Sequence, residues 1–329
     1  MKCRVCPSPL VVLCVALVTA MGMPCADAAE EYPSRPVRLV VPFAPAGSTD
    51  VLARVIAERL AILLKQPVVV DNRAGAGSLI GTQLVVQARP DGYTLLINGS
   101  SLFVLPAIKK DLPFDVKKDL APIFNAVTLP ILMFANASTR FETVQGLIAH
   151  AKANPGKLRY ADTGVGQSVH LIGELFGALA GINVSHVSYK GAGPATLSVL
   201  GGETEFGYAG PSPALDNMAK SGKLRILAVM SKERSALVPG VPAAGEIVPA
   251  FDARNTLGFL APAGTPRDII ERLNRHISAI LRDPDMPEVL ARIGMEAQRP
   301  HTPAAFAADI TSAIASWTKA IQIAKIEVE

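Results

Sequence analysis

The chain is 329 residues long, 50% hydrophobic and 5% aromatic, and carries a formal net charge of +4. A weak, dispersed positive excess and so few rings exclude a nucleic-acid surface, which needs clustered cations and stacking platforms. That length exceeds one typical domain, and the apolar content supplies core for two lobes.

In chain order the first element is a leader. Lys2 and Arg4, an apolar run from Leu10 to Met21 and then Ala26-Asp27-Ala28 read as a secretory signal peptide over 1–28. The run falls short of the roughly 18 to 20 residues that cross a bilayer, so a cleaved leader is expected and a chain that does not itself span a membrane. Cys3, Cys6, Cys14 and Cys25 all lie in the leader, leaving the expected mature protein no thiol for a disulfide, a metal or a nucleophile. Pro24 before Cys25 argues against lipidation.

Val37 to Phe43 reads as a strand that breaks into Ala44-Pro45-Ala46-Gly47-Ser48-Thr49. From Asp50 the apolar positions Val51, Leu52, Val55, Ile56 and Leu60 recur at helical spacing, with Arg54, Glu58 and Arg59 opposite. The pattern repeats as Val68-Val69-Val70, a Gly-rich loop from Arg73 to Gly77, a helix to about Arg89, the turn Pro90-Asp91-Gly92 and a strand Thr94 to Ile97. This alternation predicts an α/β chain with a mostly parallel sheet flanked by helices.

A second series starts at Ile131-Leu132-Met133-Phe134, with a helix over Val144 to Ala153 and a strand Leu158 to Ala161 running into Asp162-Thr163-Gly164-Val165-Gly166. Strands at Val184–Tyr189 and Leu224–Met230 and helices at Ala192–Leu200 and Ala214–Ser221 extend it. The Pro- and Gly-rich stretch from Ser235 to Asp252 reads as a return connection. A strand Thr256–Ala261 and helices ending at Leu281, Gly294 and about Ala324 then rejoin the first series. The expected division is lobe 1 at 29–129 and 256–329, and lobe 2 at 130–255.

The loops Pro42 to Asp50 and Asp162 to His170 share one design: a strand ends, a Gly-bearing loop exposes N–H groups, and a helix begins. Helix N-termini attract anions through free N–H groups and the positive end of the dipole, so two facing loops would grip opposite ends of one anionic ligand. Enzyme motifs fail in detail. Gly75-Ala76-Gly77-Ser78-Leu79-Ile80-Gly81 puts Ile80 where a dinucleotide fingerprint needs its third glycine, and no Walker-type phosphate loop occurs. Gly166-Gln167-Ser168-Val169-His170 ends in His where a nucleophile elbow has Gly. The five histidines form no close pair, so no metal site is expected. The rival from another class is a periplasmic hydrolase or isomerase using Ser168, His170 or Asp162 in the same cleft.

Tyr32-Pro33-Ser34-Arg35-Pro36-Val37-Arg38 followed by Val41-Pro42-Phe43-Ala44-Pro45-Ala46-Gly47-Ser48-Thr49-Asp50 resembles the start of a Bug-type receptor, the extracytoplasmic solute-binding protein of tripartite tricarboxylate transporters. The likeness continues through Pro67 to Arg73, Pro90 to Leu96, Tyr160 to Leu171, Tyr189-Lys190-Gly191-Ala192 and Leu260 to Pro266. The resemblance implies a two-lobed type II periplasmic-binding-protein fold with two crossovers, shut over its ligand like a flytrap. It further implies a periplasmic, monomeric, non-enzymatic protein without cofactor, which takes a small carboxylate and passes it to separate membrane subunits; carboxylate sensing without transport is the alternative.

By the same resemblance one carboxylate is held by Phe43, Ala44, Pro45, Ala46, Gly47, Ser48 and Thr49, and the other end by Thr163, Gly164, Val165, Gly166, Gln167 and Ser168. Ser100, His170, Tyr189 and Ala209 complete the expected ligand set. Ala46 stands where a second Gly is common, Gln167 where a small hydroxyl residue is common, and Ala209 where many relatives carry an Asp. Loss of that Asp favours a carboxylate without an amino group.

Overall fold

The computed structural model describes residues 32–324, except 46, 165–167, 252 and 254. The leader read at 1–28 lies outside them. Met1–Ser34 and Arg35–Glu329 cluster as separate units, and the fold below is that of the second.

Two sheets are built in turn. Strand β1 (Val37–Val41) leads into α1 (Ser48–Leu64), which packs Leu52, Ile56 and Leu60 inward. Then come β2 (Val68–Asn72), α2 (Leu79–Val86), β3 (Thr94–Gly99), α3 (Ser100–Ile108) and β4 (Leu120–Thr128). The second series is β5 (Leu132–Asn136), α4 (Val144–Ala153), β6 (Arg159–Asp162), α5 (Ser168–Ala180), β7 (Ser185–Ser188), α6 (Ala192–Gly201), β8 (Phe206–Ala209), α7 (Pro213–Lys220) and β9 (Leu224–Val229). A short α8 (Ala244–Ile247) precedes β10 (Thr256–Pro262), α9 (Arg267–Leu281), α10 (Met286–Arg292), β11 (Glu296–Ala297) and α11 (Pro303–Ala324).

The sheet orders are β11-β4-β10-β3-β1-β2 and β7-β6-β8-β5-β9. The expectation of mostly parallel sheets holds for strand sense, yet both sheets are mixed. β10 lies antiparallel between β3 and β4, and β5 antiparallel between β8 and β9. The physical reason is the path of the chain. β10 and β5 are each the first strand after a crossing between sheets, so each starts where its neighbours end, and β11 turns back after α10 to pair antiparallel with β4.

The two crossings, after Thr128 and before Thr256, lie side by side. Leu129 N–H donates to the Asn255 carbonyl at 2.7 Å, and Met230 N–H to the Ile131 carbonyl at 2.7 Å. The central strands are buried between helices, which explains their continuous apolar runs. The C-terminal helix α11 packs against α3 and α5, with Phe306 edge-on to Phe103 at 6.4 Å between centroids. No described helix is long and apolar enough to cross a membrane.

Candidate ligand-binding site

The strands β1, β3 and β6 each end at a helix start, and the starts of α1, α3 and α5 meet on one cavity of about 300 Å³. Phe43, Gly47, Ser48 and Thr49 line it from the β1–α1 loop, Ser100 and Ser101 from α3, and Ser168 and Val169 from α5. Leu129, Pro130, Ile131 and Asn255 add the two crossings. Ligands of open α/β sheets sit beyond the carboxyl ends of the strands, as here. None of the described lining residues has an ionisable side chain. Positive potential therefore comes from the helix ends: Gly47 and Gly99 occupy the N-cap positions of α1 and α3 and give no side-chain cap.

Each loop is held from behind. Asp50, buried in the first turn of α1, accepts from Arg54 Nε and Asn72 Nδ2, both at 3.0 Å, and Asn72 Nδ2 also donates to the Phe43 carbonyl at 3.1 Å. At Gly81 an added Cβ would lie 2.8 Å from Pro42 Cα, so this glycine lets α2 approach the loop and has no need of a dinucleotide. Buried Asn98 donates to Ser78 Oγ and Thr82 Oγ1 at 3.1 and 3.2 Å and accepts from Gly99 N–H at 2.8 Å. Ser100 Oγ accepts from Thr256 N–H at 3.0 Å, which ties α3 to the strand that returns from the second sheet.

Six expected residues, Phe43, Gly47, Ser48, Thr49, Ser100 and Ser168, meet on this cavity. Ala46, Val165, Gly166 and Gln167 lie outside the described residues. Ala44 and Pro45 are exposed, Thr163 and Gly164 are half-buried, and none of the four belongs to its wall. Three further expected residues, Tyr189, Ala209 and His170, stand off the wall of this cavity. Tyr189 donates its hydroxyl to Ser198 Oγ at 2.6 Å within the second lobe. Ala209 is buried in β8 against Leu132 and Phe134, while its neighbour Gly210 reaches the cavity. His170 is buried on the face of α5 turned to β6 and β7, beside Asp162 and His186. Of the three residues the hydrolase reading offers, Ser168 reaches the cavity wall and Asp162 and His170 do not.

Burial lowers the His170 pKa, as does His186, while the charges of Asp162 and Glu174 oppose the shift. The crossing residues and the contact of Gly294 with Pro211 at the cavity were missed in the sequence. A Cβ on Gly294 would lie 2.9 Å from the Pro211 carbonyl oxygen, a proximity that only the folded chain creates.

Residues 52–323 match TctC, the tripartite tricarboxylate transporter family receptor. Protein BugT of Bordetella pertussis is 39% identical over 288 residues, covering 87% of this chain and 88% of that protein. Two solved structures share the fold. Rpa4515 of R. palustris with adipate has a TM-score of 0.78 at 30% identity, over 91% of this chain and 100% of that one. MatC of Rhodopseudomonas palustris with bound malate has a TM-score of 0.74 at 28% identity, over 88% and 100%.

Proposed function

Because this chain belongs to the tripartite tricarboxylate transporter receptor family of solute-binding proteins, we propose that its cavity captures a small dicarboxylate lacking an amino group. The observation that carries this reading is the wall chemistry. Three helix starts and the hydroxyls of Ser48, Thr49, Ser100, Ser101 and Ser168 offer donors to carboxylates. An ammonium group would find no carboxylate among the described lining residues. The relatives with adipate and malate, both dicarboxylates, support the same ligand class.

In this reading the leader at 1–28 delivers the protein to the periplasm. Lobes at 29–129 with 256–329 and at 130–255 close over the ligand on the paired crossings, and the closed monomer is what separate membrane subunits recognise. No bond is made or broken. Asp162 and His170, which the hydrolase reading also offers, stand off the cavity wall and beside His186.

The test is calorimetric titration of ligand-stripped protein with adipate, malate, succinate and aspartate, with mass spectrometry of each ligand afterwards. Saturable one-to-one binding of an unaminated dicarboxylate, recovered unchanged, is expected. Aspartate binding as tightly as succinate would overturn the ligand class. Conversion of any bound acid would overturn the receptor reading.

A further inference from the structure

We propose that Asp162, His170 and His186 form a binding site for a divalent transition-metal cation of the zinc type. The residues come from three elements: the end of β6, the first turn of α5 and the edge strand β7. One potential ligand atom from each lies within 4.8 Å of the others. His186 Nδ1 and Asp162 Oδ2 are 3.3 Å apart. Two atoms bound to one tetrahedral zinc at roughly 2.0 to 2.2 Å are separated by about 3.3 to 3.6 Å, so this pair already has the spacing the metal requires.

The fold holds the set in place. An added Cβ at Gly173 would sit 2.8 Å from the Tyr160 ring, so this glycine brings α5 close to β6 and sets His170, one turn earlier, over the end of that strand. Asp162 Oδ1 accepts from Ser188 Oγ at 2.6 Å and from Gly164 N–H at 2.7 Å. These donors orient the carboxylate and direct Oδ2 toward His186, as outer partners of metal ligands do. The two imidazole rings are 4.6 Å apart between centroids.

The chemistry selects the ion. Two imidazoles with one carboxylate suit zinc and its neighbours in the transition series, whereas calcium and magnesium demand oxygen ligands. The Asp162 side chain is fully buried, while that of His186 is 40% exposed and gives the ion an entry route. Glu174, whose Oε1 is 4.0 Å from His170 Nε2 and takes the Tyr160 hydroxyl at 2.5 Å, or a water on the His186 side, would fill the fourth position. The ion would pin the first turn of α5, which carries Ser168 and Val169, to the second sheet.

The experiment uses tag-free full-length protein with Cys3, Cys6, Cys14 and Cys25 alkylated so that no thiol competes, stripped with a chelator, titrated with zinc against a chromogenic competitor and separately with cobalt(II). One equivalent of zinc is expected, with intense visible cobalt bands of a four-coordinate site. His186→Ala and His170→Gln should each weaken zinc binding at least tenfold and abolish those bands. His186 is exposed on an edge strand, so His186→Ala in chelator should keep the wild-type circular dichroism and a cooperative melt, separating ligation from folding. Failure to bind zinc, or unchanged affinity and bands in His186→Ala, would overturn the site. A carboxylate titration of the chelated protein reads the cavity separately, so failure of either proposal leaves the other standing.

Discussion

Asn72 and Asp50 are joined across the base of the β1–α1 loop, the Asn72 side-chain amide donating to Asp50 Oδ1 at 3.0 Å while the same nitrogen reaches the Phe43 carbonyl at 3.1 Å. One side chain at the end of an edge strand thereby fixes both the helix start and the loop that lines the cavity. Asn72→Ala removes both bonds and leaves the buried Asp50 carboxylate with one donor fewer. A lost hydrogen bond to a charged group is worth roughly 1.5 to 3 kcal/mol. Carboxylate affinity should fall about tenfold or more by calorimetry, with secondary structure unchanged by circular dichroism. Wild-type affinity in the variant would show that the loop does not depend on this link.

Gly99 supplies a stability prediction. It faces Leu257 of β10, and a Cβ added there would sit 1.7 Å from the Thr256 carbonyl oxygen. That atom belongs to backbone in the middle of the sheet and has no room to retreat. Gly99→Ala should therefore cost at least the roughly 1 to 3 kcal/mol of ordinary overpacking. It should also displace Ser100, whose Oγ accepts from Thr256 N–H. Denaturant unfolding with and without ligand checks both effects; a midpoint within error of wild type would contradict the close approach.

The parts that sequence conveyed were those with a short period. Helix α1 follows from apolar spacing, and the loop before it from Pro and Gly in succession. Strand β4 was missed because Pro122 interrupts it and its pairing with β10 shifts register between Phe259 and Leu260, so no clean alternation survives. Helix α3 was missed because Pro106 lies inside it and its face is apolar almost throughout. At the site, Ser48, Thr49 and Ser168 were legible as helix starts. Ser100 came only from family resemblance, and its reason, a third helix start, emerged with the fold. His170 and His186 lie far apart along the chain, on a helix and an edge strand, so no spacing rule brings them together. Tyr189 follows the end of β7 and Ala209 ends β8, and which way either side chain turns depends on the neighbours the fold gives it, Ser198 for one and Leu132 for the other.

Glu246 carries the pH prediction. Its carboxylate accepts from Arg234 Nε and Nη2, both at 2.8 Å, and from Ala243 N–H at 2.8 Å, bracing the return crossing before β10. The Arg234 bonds, then the Ala243 bond, hold its pKa down at about 2 from an ordinary 4.5. A carboxylate depressed in the folded state gives stability that is present above 4.5 and is lost as pH falls toward 2. The pair is exposed, so the contribution to the whole fold is small. The local readout is clear: the Glu246 side-chain resonance should titrate near 2, and Arg234→Gln should move it up toward 4.5. A wild-type midpoint near 4.5 would refute the brace.

Ser101 separates anion binding from stability. It lines the cavity in the first turn of α3, where no described lining residue is charged. Ser101→Asp places a carboxylate at a helix N-terminus, a position that stabilises the helix by roughly 0.3 to 1 kcal/mol. The same charge about 5 Å from a bound carboxylate would oppose it by roughly 3 kcal/mol at an effective dielectric near 20. The expected variant folds at least as well as wild type yet binds dicarboxylates about a hundredfold more weakly. Ser101→Asn, of the same shape without the charge, should bind within a few-fold of wild type. If Asp and Asn weaken binding equally, size governs the loss and the anionic character of the ligand is refuted; if Asp alone does so, the helix starts act on charge.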